Sequence, residues 1–278
     1  MKLETWNMII TSPHNPKVKQ VIALRDRKER DRSRLMRVEG YEELSLALAS
    51  GAQPTALYFC PALFRAPGAQ RLLEQIERTS AELIEVSERI FEKIAYREGP
   101  DGWLAVFPAL NTSLQTLQPG HNPFVVVAEA VEKPGNLGAM LRTADAAGVD
   151  ALIAAAPLTD WGNPNIVRSS KGALFSVPVA AADNDQTIAW LRKHKIRIIA
   201  ATPQADTRYT EADLRGPVAI AVGTEKEGLS QAWLDQADVQ VQIPMVGKVN
   251  SLNVATATAL LVYEVVRQRT AAGGDGRR

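Results

Sequence analysis

A chain of 278 residues, 46% hydrophobic and 23% charged, is long enough for two globular domains and holds no apolar run near the ~20 residues of a membrane span. One cysteine, Cys60, and three scattered histidines, His14, His121 and His194, exclude an internal disulfide and offer no metal cluster. The net charge of +1 hides an asymmetry: Lys17 to Arg37 carries nine basic against three acidic residues, a surplus of +6 that leaves −5 elsewhere. Such a stripe is the footprint expected for a nucleic-acid backbone, with Lys17, Lys19, Arg25 and Arg37 among its candidate contacts. The alternative is a solvated helix laced with pairs such as Asp26–Arg30. The first residues, MKLETWNMIITS, lack the basic-then-apolar plan of a secretory signal, so a cytoplasmic location is expected.

Taken in order, Asn15-Pro16 opens a helix to about Arg30, with Pro16 well placed in the first turn. A strand at 36–39, a helix at 41–49 closed by Gly51, a strand at 56–60 and a helix at 69–78 follow. A strand at 83–86, a helix from Ser87 and a strand at 103–107 complete a small α/β domain over 1–107. Residues 108–123, rich in proline and small polar residues, read as a linker. The second domain, 124–278, begins with the continuous apolar run Phe124 to Ala128, the signature of a strand covered on both faces. Helix 136–148, strand 151–155, helix 164–172, strand 175–180, helix 186–194, and strands 197–202, 217–222 and 239–243 alternate along it. That alternation predicts an α/β fold with a mostly parallel sheet of about six strands, whose ligands sit at the carboxyl ends of the strands. A final helix, apolar on nearly every side from Val254 to Val265, is expected to be buried on more than one face.

Three loops fall at those strand ends. In the first, Pro134-Gly135 turns the chain, Asn136 is placed to cap a helix, and Arg142 lies one turn beyond Gly138, ready to reach an anion or polarise an oxygen. The second, Gly223-Thr224-Glu225-Lys226-Glu227-Gly228, frees the backbone at two glycines and projects the Glu225 carboxylate over a strand end. The third, Ile243 to Ala255, carries Lys248, Asn250, Ser251 and Asn253 between a strand and a helix. A cluster of Arg, Glu, Ser and Asn without His, Cys or metal suits binding and group transfer better than hydrolysis. The absent G-x-G-x-x-G pattern disfavours a nucleotide-dependent oxidoreductase.

Together, Asn136-x-Gly138-x-x-x-Arg142, Gly223-x-Glu225-x-x-Gly228-Leu229-Ser230 and Ile243-Pro244-Met245-x-Gly247-x-x-x-Ser251-Leu252-Asn253-Val254-Ala255 resemble the SPOUT superfamily, in its SpoU or TrmH-like branch of RNA 2′-O-ribose methyltransferases. Arg168 and Gly172-Ala173-Leu174-Phe175 fit the same branch, and Asn15-Pro16-x-Val18-Lys19 with Val38-Glu39-Gly40 is similar to the RNA-binding domain often found ahead of it. The resemblance implies a trefoil knot in the C-terminal domain, a homodimer formed through that domain, and S-adenosylmethionine as cofactor. Thr202, Gly223, Ile243, Met245, Ser251 and Leu252 would hold the cofactor. Arg142, Asn136, Glu225, Ser251 and Asn253 would form the catalytic set, with Glu225 beside Arg142 and Arg168 on an RNA phosphate. Ribosomal RNA is the first expectation for the substrate and transfer RNA the second. A non-catalytic RNA-binding or ribosome-assembly factor is the rival reading.

Overall fold

The computed structural model describes residues 9–249 and 251–273. They form two compact units, one of residues up to Leu110 plus Gly162–Ser176, the other of Asn111–Trp161 plus the chain from Val177.

In the first unit the expected single helix over 15–30 is two, α1 (Pro16–Ala23) and α2 (Arg27–Ser33). The break at Leu24–Asp26 frees backbone carbonyls that a continuous helix would satisfy internally. Arg30, almost fully buried, takes them up, its guanidinium donating to the carbonyls of Leu24 at 3.0 Å and Arg25 at 2.7 Å. Then follow β1 (Leu35–Glu39), α3 (Tyr41–Ala49), β2 (Ala56–Phe59), α4 (Ala69–Glu77), β3 (Glu82–Glu85), α5 (Glu88–Ile94) and β4 (Trp103–Pro108). The sheet order is β1-β4-β2-β3, with β2 and β3 parallel and the other pairs antiparallel. Val18, Val21, Tyr58, Ile84, Phe91 and Leu104 form one core between α1, α5 and the sheet.

Besides Arg30, two more residues of the basic stripe face this interior. Arg37 is 1% exposed, pairs with Glu39 at 3.0 Å and donates to the Ile94 carbonyl at 2.6 Å. Burial lowers its guanidinium to about 10, against the opposing pull of Glu39. A side chain enclosed in this way is closed to a phosphate, so Arg37 is corrected from an RNA contact to a residue of the core. Arg25 is half-buried and donates to the carbonyls of Lys93 at 2.8 Å and Ala95 at 2.7 Å, where α5 ends. Lys17 and Lys19 remain exposed, Lys17 in an ion pair with Glu82.

The second unit is built from β5 (Phe124–Glu129), α6 (Pro134–Ala147) and β6 (Ala151–Ala155). After α7 (Pro164–Ser170), which groups with the first unit, come β7 (Val179–Ala182), α8 (Asn184–Lys193), β8 (Arg197–Ala201), β9 (Val218–Val222), α9 (Gln231–Asp235), β10 (Val239–Val241) and α10 (Val254–Ala271). All pairs in the six-stranded sheet are parallel, in the order β10-β8-β9-β5-β6-β7. The strand expected at 175–180 begins only at Val179, because Ala173–Phe175 makes a helical turn and Pro178 has no N–H for the ladder. Leu114 and Leu117, in the proline-rich stretch after β4, pack into this unit's core.

Side chains alternate across a strand. Val125, Val127, Ile153, Ile198 and Ala219 meet α8 and α9 on one face, leaving Val126, Leu152 and Ile220 for the opposite face, where α10 packs on α6 and β9. Leu261, Val262 and Val265 of α10 are fully buried there. Its other side is open: Leu260 is 39% and Tyr263 50% exposed, so within one chain the helix is not covered all round.

The strand order positions the site. From β5 the chain runs outward through β6 and β7, then returns to build β8, β9 and β10 on the other side of β5. Between adjacent strands that lead away in opposite directions a crevice opens at the carboxyl edge. Here those strands are β5 and β9, whose ends are in register at Ala128 and Val222.

Candidate active site

Three loops leave that edge: 130–133 after β5, 223–230 after β9, and 242–253 after β10. In the first, Ala130 takes the left-handed conformation (φ 49°), a backbone state that costs a non-glycine residue about 1–2 kcal/mol. Lys133 is the N-cap of α6 and Pro134 its first residue, so Asn136 lies inside the first turn instead of capping it. Freed from capping, its side chain turns to the second loop.

That loop closes on itself. The Thr224 N–H donates to the Gly228 carbonyl at 3.0 Å, and the Gly228 N–H donates back at 3.1 Å. The closure needs a glycine at 223, where an added Cβ would stand 2.0 Å from the Gly228 carbonyl oxygen and 2.3 Å from the Leu229 nitrogen. Behind it, the buried carboxylate of Glu129 at the end of β5 accepts from the Ser230 N–H at 2.7 Å and from Asn184 at 2.7 Å. Asn184 in turn accepts from the Trp233 indole at 3.0 Å. Glu129 ties the loop to the central strand; inside an apolar run its role left no mark in the sequence pattern.

At the loop's tip the carboxylate of Glu225 collects donors from the other two loops and from the first turn of α6. Its Oε1 accepts from Asn136 Nδ2 at 3.0 Å and Asn253 Nδ2 at 2.7 Å, and its Oε2 accepts from Lys133 Nζ at 2.9 Å. The hydrogen bonds from Lys133 and Asn136 hold the Glu225 carboxyl below the usual carboxylate range, and the same contact raises the Lys133 ammonium. Asn253 also donates to Asn136 Oδ1 at 3.1 Å, while its own Oδ1 caps α10 at the N–H groups of Ala255 and Thr256. Sequence reasoning placed Asn136, Glu225 and Asn253 together but missed Lys133.

Beside this cluster, the ends of β8, β9 and β10 and the loop entering α10 enclose a cavity of about 370 Å³. Thr202, Gly223, Ile243, Met245, Ser251 and Leu252 all line it, and so does Glu225. The Thr202 N–H donates to the Val241 carbonyl at 2.9 Å, holding the floor of the cavity. Asn250 lies outside the described residues.

Arg142 stands apart from both. It is exposed, lines no part of the cavity, and among the described residues makes no hydrogen bond or ion pair. The expected Arg142–Glu225 pair is therefore replaced by Lys133–Glu225. Six residues beyond Asn136, Arg142 is about 9 Å further along the helix and roughly a third of a turn round from it. Arg168 is exposed in the last turn of α7.

A cavity of this size falls in the ~300–1,000 Å³ range of small-molecule sites. Apolar walls at Leu252, Ile243 and Met245, with Thr202, Ser251 and Glu225 among its polar points, fit a compact nucleoside carrying an amino-acid tail. S-Adenosylmethionine has that composition, and the donor set, lacking thiolate and imidazole, offers nothing to a transition metal. Among the described residues no group of His, Cys, Asp or Glu is arranged to hold a metal ion.

Residues 123–263 match the SpoU rRNA Methylase family, and residues 15–105 match the MRM3-like substrate binding domain. The chain is 30% identical to the 23S rRNA (guanosine(2553)-2′-O)-methyltransferase RlmP of Bacillus subtilis, over 92% of this chain and 98% of that one. A solved RNA 2′-O ribose methyltransferase superposes with a TM-score of 0.83 at 40% identity, covering 95% of this chain and all of the other. The AdoMet-bound rRNA methyltransferase of Sinorhizobium meliloti gives 0.86 at 29% identity, covering 94% and 97%. With the sheet order, the three motif-bearing loops and the cavity they enclose, these matches place the chain in the SpoU family of RNA 2′-O-ribose methyltransferases.

Proposed function

We propose that this protein transfers a methyl group from S-adenosylmethionine to a ribose 2′-hydroxyl of ribosomal RNA. The observation that carries this reading is the 370 Å³ cavity at the ends of β8, β9 and β10, with the Glu225 cluster on its rim. Thr202, Gly223, Ile243, Met245, Ser251 and Leu252 are its cofactor-binding residues. Bound there, S-adenosylmethionine supplies an electrophilic methyl group.

Arg142 is the group assigned to the ribose oxygen. A guanidinium keeps its proton above pH ~12, so it acts as a fixed positive charge and not as a base. Placed against the 2′-oxygen it stabilises the negative charge that develops as the oxygen attacks, while an RNA phosphate accepts the proton. With no partner of its own among the described residues, its charge is available to substrate. Asn136, Glu225 and Asn253 act as a bracket that fixes the start of α6 against the start of α10, and Ser251 lines the cavity beside them.

The first unit is the RNA-holding part in this reading, with Lys17, Lys19 and Arg168 offered to phosphates. A second copy of the chain covers the open side of α10, where Leu260 and Tyr263 with Tyr209 leave an apolar face. The chain's return from the edge strand β10 to the centre of the sheet at α10 is consistent with the trefoil knot that the resemblance implies. No helix among the described residues is long and apolar enough to cross a membrane. A ribosomal RNA substrate goes with a cytoplasmic location. The test is to map 2′-O-methyl groups in total RNA with and without the gene. Loss of one site from ribosomal RNA is the expected result. Loss from transfer RNA instead would overturn the substrate, and no change in either RNA would favour a non-catalytic RNA-binding factor.

A further inference from the structure

We infer that Lys133 is a positioning residue for methyl transfer, the cation that pairs with the Glu225 carboxylate and thereby helps lock the three loops of the site together. This inference rests on the methyltransferase reading above. Glu225 is the point where the loops meet: Asn136 of α6 and Asn253 at the head of α10 both donate to its Oε1, and Lys133 donates to its Oε2. Protonation would turn one of those two acceptor oxygens into a donor facing another donor. On Oε1 that proton would open the bracket between α6 and α10 at Asn136 or at Asn253; on Oε2 it would break the Lys133 contact and leave Oε1 a neutral, weaker acceptor for both amides. Since Asn253 also caps α10, the disturbance would reach Ser251, Leu252 and Val254 in the cavity wall.

Lys133 is the cation in contact with Glu225 among the described residues. Of the other charged side chains nearby, Lys226 pairs with Glu227 within the loop, and Glu132, next to Lys133 in the chain, acts electrostatically on it. Asn136 and Asn253, contributed by α6 and the head of α10, are neutral. The ion pair lowers the pKa of the Glu225 carboxyl, so its loss moves that titration to higher pH. The site is then broken over an acidic range in which it is normally intact. Lys133 is 68% exposed, so its replacement leaves the core untouched.

The experiment compares the full-length wild type with Lys133→Met and Lys133→Arg. The Glu225 carboxyl is titrated by ¹³C NMR, its resonance identified by its absence in Glu225→Gln. The same proteins are assayed from pH 4 to 8 for single-turnover methyl transfer from S-adenosylmethionine to ribosomal RNA lacking this methylation. In Lys133→Met the Glu225 titration and the acid limb of the rate move together to higher pH. At neutral pH the rate falls by about two- to fivefold, the size expected of an exposed ion pair. Lys133→Arg restores both. An unchanged Glu225 titration in Lys133→Met overturns the inference, and so does a shifted titration with a wild-type rate profile. A wild type that binds S-adenosylmethionine but methylates no ribosomal RNA counts against the functional reading, while the NMR titration still decides whether Lys133 governs Glu225.

Discussion

Replacing Gly223 by alanine tests whether the loop after β9 shapes the cavity. The new methyl carbon would lie 2.0 Å from the Gly228 carbonyl oxygen and 2.1 Å from its carbon, both backbone atoms that cannot swing aside as a side chain would. The turn must open, and its two closing hydrogen bonds, at 3.0 and 3.1 Å, are the first to break. At ~0.5–1.5 kcal/mol each, they set the cost at about 1–3 kcal/mol. If the cofactor binds only the closed turn, its affinity falls by that same free energy, roughly 5- to 150-fold. Gly228→Ala is the control. Gly228 has φ +70° but open space around the added carbon, so its cost is backbone strain of about 1–2 kcal/mol without displacement of the cavity wall. Urea unfolding and titration calorimetry with S-adenosylmethionine measure the two quantities separately. Gly223→Ala binding the cofactor as tightly as Gly228→Ala would refute the reasoning.

Further outcomes follow from the same geometry. Arg142→Ala lowers the single-turnover rate by about 10²–10³, as expected for loss of a charge-stabilising donor. Its stability stays within ~0.5 kcal/mol of wild type because the side chain is exposed and unpartnered among the described residues; a near-wild-type rate would reject its assignment. Glu39→Gln leaves the Arg37 guanidinium buried without its counter-charge and costs about 3–5 kcal/mol in urea unfolding. A loss below ~1 kcal/mol there would return Arg37 to the candidates for surface contact. Leu260→Asp places a charge on the open side of α10 and converts a dimer to monomers by light scattering; a wild-type mass in the variant contradicts an interface at that face.

Most strands of the parallel sheet could be read from the sequence because a strand covered on both faces must be continuously apolar, as Phe124 to Ala128 and Val218 to Val222 are. The loops were legible as candidates because three motif-bearing stretches fall in order after strands, at the edge where a parallel sheet places its ligands. Lys133 was not, since a lysine before Pro134 looks like any exposed turn residue until β5 and β9 are known to be neighbours. Glu129 was hidden for the opposite reason, a carboxylate at the end of an apolar run whose partners, Asn184 and Ser230, lie far along the chain. The basic stripe misled in part. Composition counts charges but not their direction, and Arg25, Arg30 and Arg37 face backbone carbonyls inside the first unit. The open side of α10 was only partly legible, because an apolar helix looks the same whether its second face meets its own chain or another.

The central claim is tested most directly with methyl-labelled S-adenosylmethionine, the purified protein and ribosomal RNA from cells lacking the gene. Transfer of label to a single 2′-oxygen by the wild type, and transfer slowed by about 10²–10³ in Arg142→Ala that still binds the cofactor, is the predicted result. Cofactor binding without transfer to any ribose, or equal transfer by both proteins, would contradict it.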